Sequence, residues 1–388
     1  MTFELSKALP VHSWFWYKEG YAPQLVEYSI ERFVQNRKLE TVNRKPALIL
    51  DPFCGVGTTL LAAKQKGIAS IGIDASPLAV FVSKTKTQNY EKSDLESALA
   101  FLTKKIKPAP GSLRWDFELF DARAAFPKRN YNEILALREE IEQVEGNARD
   151  LLLLALLSIL PQASIILKDG GVLKIDKRKR ALPAREIFRR RVKAMVRDLE
   201  SSSIAGPKPE VFLGDARALD LNDSSVDLVV TSPPYLNNID YSKIYGLELS
   251  LLEMSKSAAE QMRMRAIRSF IRTGNRKLGT GNRQPETAMP QEVGDIGYRI
   301  PIIGTYFKDM EAAMKEMFRV LRPGGEAHIN VSNSVIYETH VLVDEVFAEM
   351  GERIGFADSE IVVGAERIAD VKPQKVRTRE SIVIMRKD

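Results

Sequence analysis

Apolar positions along this chain follow two periods. "ALILDPF" is a continuous apolar run that breaks into polar and glycine-rich residues, as a strand buried on both faces does. "TTLLAAKQKG" follows as a helix closed by Gly67, then "IASIGID" as a second strand and "SPLAVFVSKTKTQNY" as a second helix. This alternation predicts an α/β fold: a doubly wound, mostly parallel sheet with right-handed crossovers. From Glu91 to Lys208 the spacing becomes helical throughout. "DLESALAFLTKKI", "YNEILALREEIEQV", "ARDLLLLALLSIL" and "AREIFRRRVKAMVRDLESS" predict a large helical insertion. The sheet resumes with "EVFLGDARAL" and "VDLVVTSPPY". A second insertion, Ser255 to Ile300, is rich in Arg, Gly and Asn and reads as a loop. A helix ("YFKDMEAAMKEMFRVL"), a Pro-Gly-Gly turn at 323–325 and the strand "EAHINVS" come next. The helix "HVLVDEVFAEMGERIG" and the strands "SEIVVGAE" and "RESIVIMRK" close the chain.

The greasiest run, "LLLLALLSIL", is short of the roughly 20 apolar residues that a membrane helix needs, so it reads as a buried core helix. The N-terminus has no apolar stretch after a basic start, which argues against a secretory signal. Cys54 is the single cysteine, so no intrachain disulfide can form and a reducing, cytoplasmic setting is expected. The net charge of +6 is unevenly placed. Lys168 to Glu200 holds 12 Lys and Arg against 5 Asp and Glu, and Lys256 to Gln284 holds 8 against 1. Two basic islands on an otherwise acidic body point to a polyanionic partner, nucleic acid above all.

"DPFCGVGTT", Asp51 to Thr59, sits at a strand-to-helix junction. Gly55 and Gly57 allow the backbone to approach a ligand, and the helix that follows offers free N–H groups and a positive dipole end. Asp74 ends the next strand, where an acid accepts hydrogen bonds from ribose hydroxyls. Asp215 ends the third strand and Ser232 the fourth. Ligands in open α/β sheets bind outside the carboxyl ends of the strands, so these groups are expected to converge on one crevice.

With "TSPPY" at 231–235, the chain resembles the DNA amino-methyltransferases, which transfer a methyl group from S-adenosylmethionine to an exocyclic base nitrogen. The cofactor loop of that family has the form D-P-F-x-G-x-G-T-T and its catalytic loop the form S/D/N-P-P-Y/F/W. The segment "HSWFWYKEGYAPQLVEYSIERF" is similar to the one that precedes the cofactor loop there, and "IGIDASPLA" and "LGDARAL" are looser matches to the ribose and adenine segments. The resemblance implies a class I, Rossmann-like methyltransferase fold over 1–90 and 209–388. It also implies S-adenosyl-L-methionine as cofactor and no metal. The expected cofactor-binding residues are Tyr21, Asp51, Pro52, Phe53, Gly55, Gly57, Thr58, Thr59, Asp74, Asp215 and Ala216, and the expected catalytic residues are Ser232, Pro233, Pro234 and Tyr235.

The chemistry accounts for the catalytic loop. An exocyclic amine is a poor nucleophile because its lone pair is delocalised into the ring. Acceptors that take its N–H hydrogens localise that pair, and proline, lacking an N–H, leaves no competing donor. Ser232 Oγ and the Pro233 carbonyl are the candidate acceptors, and the Tyr235 ring is the candidate stacking surface for a flipped-out base. Asp240 and Ser242 are expected to cap a helix, and Trp14, Trp16 and Tyr17 either shield the cofactor or pack. His12, His328 and His340 are expected to be structural. Cys54 lies far in sequence from the catalytic loop, which argues against the thiolate mechanism of carbon-5 methylation.

DNA is the expected partner. Residues 91–208 are the expected target-recognition region, with Arg178, Lys179, Arg180, Arg189 and Arg190 gripping phosphates. The basic loop 255–300, with Arg272, Arg276 and Lys277, could enter a groove. The resemblance also allows a cognate restriction endonuclease. Serine at position 232 favours cytosine N4 over adenine N6. The alternatives are an RNA base-amine methyltransferase, a protein glutamine methyltransferase and a nucleic-acid-binding protein without catalysis.

Overall fold

The computed structural model describes residues 3–17, 20–36, 46–107, 115, 117–169, 171–202, 204–237, 239–252, 262–269, 290, 293–294, 296–297, 300–336, 339–371 and 374–388. Its elements run in the order α1 (Pro23–Asn36), β1 (Leu48–Asp51), α2 (Thr58–Gln65), β2 (Ala69–Asp74), α3 (Pro77–Thr87) and α4 (Lys92–Phe101). After these come α5 (Lys128–Ile141), α6 (Gly146–Ala163), β3 (Ile166–Asp169), β4 (Val172–Ile175), α7 (Ala184–Ser201), β5 (Glu210–Leu213) and β6 (Val226–Thr231). The chain ends with α8 (Tyr241–Ile244), α9 (Gly246–Leu251), α10 (Pro301–Val320), β7 (Leu321–Ser332), β8 (Ser334–Ile336), β9 (Thr339–Val341), α11 (Val343–Ile354), β10 (Asp358–Val371) and β11 (Gln374–Arg386).

The main sheet has the order β10-β11-β7-β6-β1-β2-β5. From β7 across to β5 every neighbour is parallel, and β11 runs against both of its neighbours. Strands after β1 are laid outward first on one side, through β2 to β5, and then on the other, from β6. The switch therefore falls between β1 and β6, where a doubly wound sheet opens a crevice at its carboxyl edge. This strand order is the Rossmann-like arrangement expected of a class I methyltransferase.

Alternation along the strands sorts side chains to two faces. Ile49 of β1, with Leu228 and Val230 of β6, packs against Leu25, Val26 and Phe33 of α1. Leu50 and Val229 face the other way, onto Tyr306, Met310 and Met314 of α10. Helices α4 to α7 form a further layer, whose core includes Leu61 of α2 together with Leu78 and Val82 of α3. The leucine run of α6 is buried there, as expected of a core helix. Among the described residues no helix is long and apolar enough to cross a membrane.

Two local expectations are corrected. The stretch 91–208 is not purely helical: β3 and β4 pair as an antiparallel hairpin between α6 and α7. Thr339–Val341 pairs with Ser334–Ile336, so the helix expected from His340 starts at Val343. The second insertion lies mostly outside the described residues.

Because the helical layer shares its core with α2 and α3, it is expected to unfold with the sheet. Leu154 is fully buried in α6, and Leu154→Ala should lower stability by about 2–5 kcal/mol. Scanning calorimetry is expected to show one transition at lower temperature; a separate early transition would mean that the layer folds by itself.

Candidate active site

The carboxyl ends of β1, β2, β5 and β6 border one cavity. Its floor is the loop after β1, with Pro52, Phe53, Gly55 and Thr58, and its walls carry Asp74 and Ser76, Asp215 and Ala216, and Ser232 to Tyr235. Tyr17 and Tyr21 close one side, and Tyr241, Tyr245 and part of the segment 262–269, including Arg263, Ile267 and Ser269, border another. The expected crevice therefore gathers most of the predicted residues.

Asp51, Gly57 and Thr59 do not line this cavity and stand behind its wall. Asp51 is fully buried and ties three segments together. Its Oδ1 accepts from Thr231 Oγ1 (2.6 Å) and from the Phe53 amide (3.2 Å), while its Oδ2 accepts from Tyr21 Oη (2.9 Å). Burial raises its carboxyl above the ordinary range, against the pull of these donors. Thr59 Oγ1 also contacts Tyr21 Oη and lies 3.2 Å from the Val230 carbonyl. These two residues position the loop and do not face a ligand. Gly57 has φ +77°, and a Cβ there would lie 2.9 Å from Ser83 Oγ. Only glycine fits this bend, which turns the chain into α2.

Asp74 stands at the cavity edge. Its Oδ2 accepts from the Gly55 amide (2.9 Å) and its Oδ1 from the Ser76 amide (2.8 Å). Desolvation outweighs these two donors and raises the carboxyl to about 6. Among the described residues no cation is paired with it, so each oxygen keeps a lone pair for a ligand hydroxyl. Asp215 is held differently, in a two-pronged pair with Arg217 (Oδ2 to Nη2 2.7 Å). Arg217 also reaches Asp309 of α10 (3.1 Å), which in turn holds Arg268 (2.6 Å). That chain fastens residues 262–269 beside the cavity. An acid poised for a diol, free amides opening α2 and a glycine approach suit a nucleoside-bearing ligand such as S-adenosyl-L-methionine.

The Ser-Pro-Pro-Tyr loop opens directly from β6. Ser232 Oγ donates to Tyr235 Oη (3.2 Å), Tyr235 Oη donates to Glu380 Oε1 (3.2 Å), and Asn330 Nδ2 donates to Tyr235 Oη (2.8 Å). Burial, with Glu380 beside it, pushes the Tyr235 phenol well above its ordinary value, so the hydroxyl keeps its proton. Asn330 and Glu380 had no motif to reveal them. Glu380 lies in the last strand, 145 positions after Tyr235.

Other side chains divide between packing and the site. Tyr17 lines the cavity, stacked on Tyr245 with ring centroids 4.5 Å apart. Trp14 is buried and donates to Asp198 (2.8 Å), and Trp16 is exposed beside Lys7. Asp240 caps α8 as expected, accepting from the Ser242 amide (3.1 Å), yet it and Ser242 also line the cavity, with Arg263 Nε donating to Ser242 Oγ (2.6 Å). Lys86 is buried and lowered to about 7 by desolvation; it donates to the Val56 carbonyl (2.9 Å) of the loop. His12 is buried and lowered to about 3, and His328 is buried against Glu326 (2.9 Å). Burial, with Asp74 and Asp51 nearby, pushes the Cys54 thiol up, away from a reactive thiolate.

Lys179 is a correction among the basic residues. Its ammonium donates to the carbonyls of Pro161 and Ile166 (both 2.5 Å), where it ties the end of α6 to β3 instead of reaching out to a phosphate. Arg178 is exposed and paired with Asp176 (3.1 Å), and Arg190 is exposed and paired with Glu186. Arg180 and Arg189 are exposed. Arg189 and Arg190 border a surface hollow with Arg129, Arg185 and Lys193. Arg272, Arg276 and Lys277 lie outside the described residues.

A family model described as DNA methylase matches residues 21–84, which hold the loop, β1, β2 and most of α3. The chain is 25% identical to the type II methyltransferase M.BsoBI of Geobacillus stearothermophilus, over 100% of this chain and 87% of that protein. It is 25% identical to the type II methyltransferase M.AvaI of Nostoc sp. (strain PCC 7120), over 94% and 82%. A Thermus thermophilus protein solved with S-adenosyl-L-methionine is 20% identical over 45% of this chain and 53% of that one, with a TM-score of 0.25.

Donor hydroxyls on a ligand favour the ionised form of Asp74, which is lost as pH falls through about 6. Affinity for S-adenosyl-L-methionine is therefore expected to be level near neutral pH and to fall by up to about tenfold per unit below 6. In Asp74→Asn the affinity should be lower and its pH dependence over this window should disappear. Calorimetric titration across pH checks both.

Proposed function

We propose that this chain, which belongs to the S-adenosylmethionine-dependent DNA amino-methyltransferases, methylates the N4 amine of cytosine within a specific DNA site. The observation that carries the choice of base is Ser232 at the head of the catalytic loop, since the serine form is commoner among the family's N4-cytosine enzymes. Bound in the cavity, S-adenosyl-L-methionine would supply a methyl group made electrophilic by its sulfonium. Asp74 would accept from its ribose hydroxyls, Asp215 and Ala216 would border its adenine, and the amides opening α2 would meet its carboxylate.

The chain's own residues prepare the base. Pro233 and Pro234 present no amide donor, so Ser232 Oγ and the Pro233 carbonyl are left to draw the two amine hydrogens. Their fixed φ angles hold this geometry before the base arrives. The Tyr235 ring offers a face to the extruded base. The layer α4 to α7 faces the duplex, with Arg178, Arg180, Arg189, Arg190 and Lys193 on phosphates. Lys193 and Arg189 both border the basic hollow, next to the start of α7. A cytoplasmic setting and a cognate restriction endonuclease belong to the same proposal.

Nucleoside mass spectrometry of DNA incubated with the protein and labelled cofactor is expected to give N4-methylcytosine. Label in N6-methyladenine alone would reassign the base, and label in RNA alone would defeat the DNA reading. Replacing Arg189 and Lys193 together by Ala should weaken DNA binding across all sequences and reduce the salt slope by about 2. Equilibrium binding over a salt series checks it; an unaltered slope would take both residues off the phosphates.

A further inference from the structure

A serine hydroxyl can donate or accept, whereas drawing a hydrogen from an amine requires it to accept. Something in the site must decide the direction in which the Ser232 hydroxyl points. A carboxylate is acceptor-only, so Tyr235 Oη must donate to Glu380 Oε1 (3.2 Å). The other oxygen of Glu380 is held by Arg367 (2.9 Å), which reaches it from the neighbouring strand β10. Asn330 Nδ2 donates to Tyr235 Oη (2.8 Å) and also lies 3.4 Å from Glu380 Oε1, a contact that fixes which end of the amide faces the pair. With its single proton committed to Glu380, Tyr235 Oη is an acceptor towards everything else. The Ser232 proton therefore goes to Tyr235 (3.2 Å), and the lone pairs of Ser232 Oγ are left for the cavity.

We propose that Glu380 is a positioning residue that acts through Tyr235 to hold Ser232 as a hydrogen-bond acceptor for the target amine. The relay rests on the proposed amine methylation but not on the choice of base, because cytosine and adenine both present an N–H donor. It gives Tyr235 a second task beside stacking, carried by its hydroxyl instead of its ring. No proton has to leave Tyr235 or Ser232: the carboxylate sets the direction of two hydroxyls, and the charge is felt at Ser232 without being placed there.

The test uses Glu380→Gln and Tyr235→Phe in the full chain. In Glu380→Gln, Arg367 retains the side-chain carbonyl and the amide turns towards Tyr235, which reverses both hydroxyls. kcat is expected to fall at least about tenfold, the scale of a hydrogen bond to a charged group, with cofactor affinity unaltered. Tyr235→Phe keeps the ring and removes the middle oxygen; it should lose kcat similarly, and adding Glu380→Gln to it should change kcat less than about twofold. Wild-type kcat in either single variant, or equal losses from Glu380→Gln in both backgrounds, overturns the relay.

A readout without turnover separates this from the methylation reading. In protein labelled with carbon-13 at tyrosine Cζ, the signal lost in Tyr235→Phe is expected to shift in Glu380→Gln and in Ser232→Ala. A signal that stays in place in Glu380→Gln overturns the relay whether or not the wild type methylates DNA. Failure of the wild type to label any DNA, with the signal shifting as expected, would count against the methylation reading alone.

Discussion

The site depends on one buried carboxylate. Asp51 receives hydrogen bonds from Thr231, Tyr21 and the Phe53 amide, and so joins the ends of two central strands to the segment before α1. The joint sits where the strand order switches, the place at which a parallel sheet leaves its edge open. It adds a direct side-chain link between the glycine loop and the end of β6, beside the pairing of the two strands and the Thr59 contact with the Val230 carbonyl. A buried acid is tolerated there because every contact it makes is a donor, which offsets the loss of water.

Around this joint two of the acids that line the cavity, Asp74 and Asp215, behave differently. Asp74 keeps free lone pairs and is titratable near neutral pH, so it is suited to a ligand that brings its own donors. Asp215 is already neutralised by Arg217, and through Asp309 and Arg268 it belongs to the framework that fastens the segment 262–269. Similar positions at successive strand ends thus serve different ends, one chemical and one architectural.

Much of this was legible in the sequence, for physical reasons. The sheet strands near the site are largely buried on both faces, so β1, β2 and β6 appear as mostly apolar runs, interrupted by Ser70 in β2 and Asp227 in β6. The loops that follow are marked by residues with restricted backbones, Gly57 at positive φ and Pro233 and Pro234 with fixed φ. What stayed hidden depended on distance in the chain. The hairpin β3–β4 has four-residue strands that carry Lys168 and Lys174, too short and too polar to stand out between two long helices. Lys179 looked like part of a phosphate grip because composition cannot show that two carbonyls lie within its reach. Asn330 and Glu380 come from strands that would be expected only to complete the sheet.

The helical layer has a mechanical consequence. Its core is continuous with the outer faces of α2 and α3, and both of those helices begin at loops that line the cavity. A load on α5 or α7 is not absorbed at a separate hinge, because the layer shares one core with α2 and α3. It passes through Leu61, Leu78 and Val82 to the glycine bend, so that strain in the helical layer and the shape of the cavity vary together.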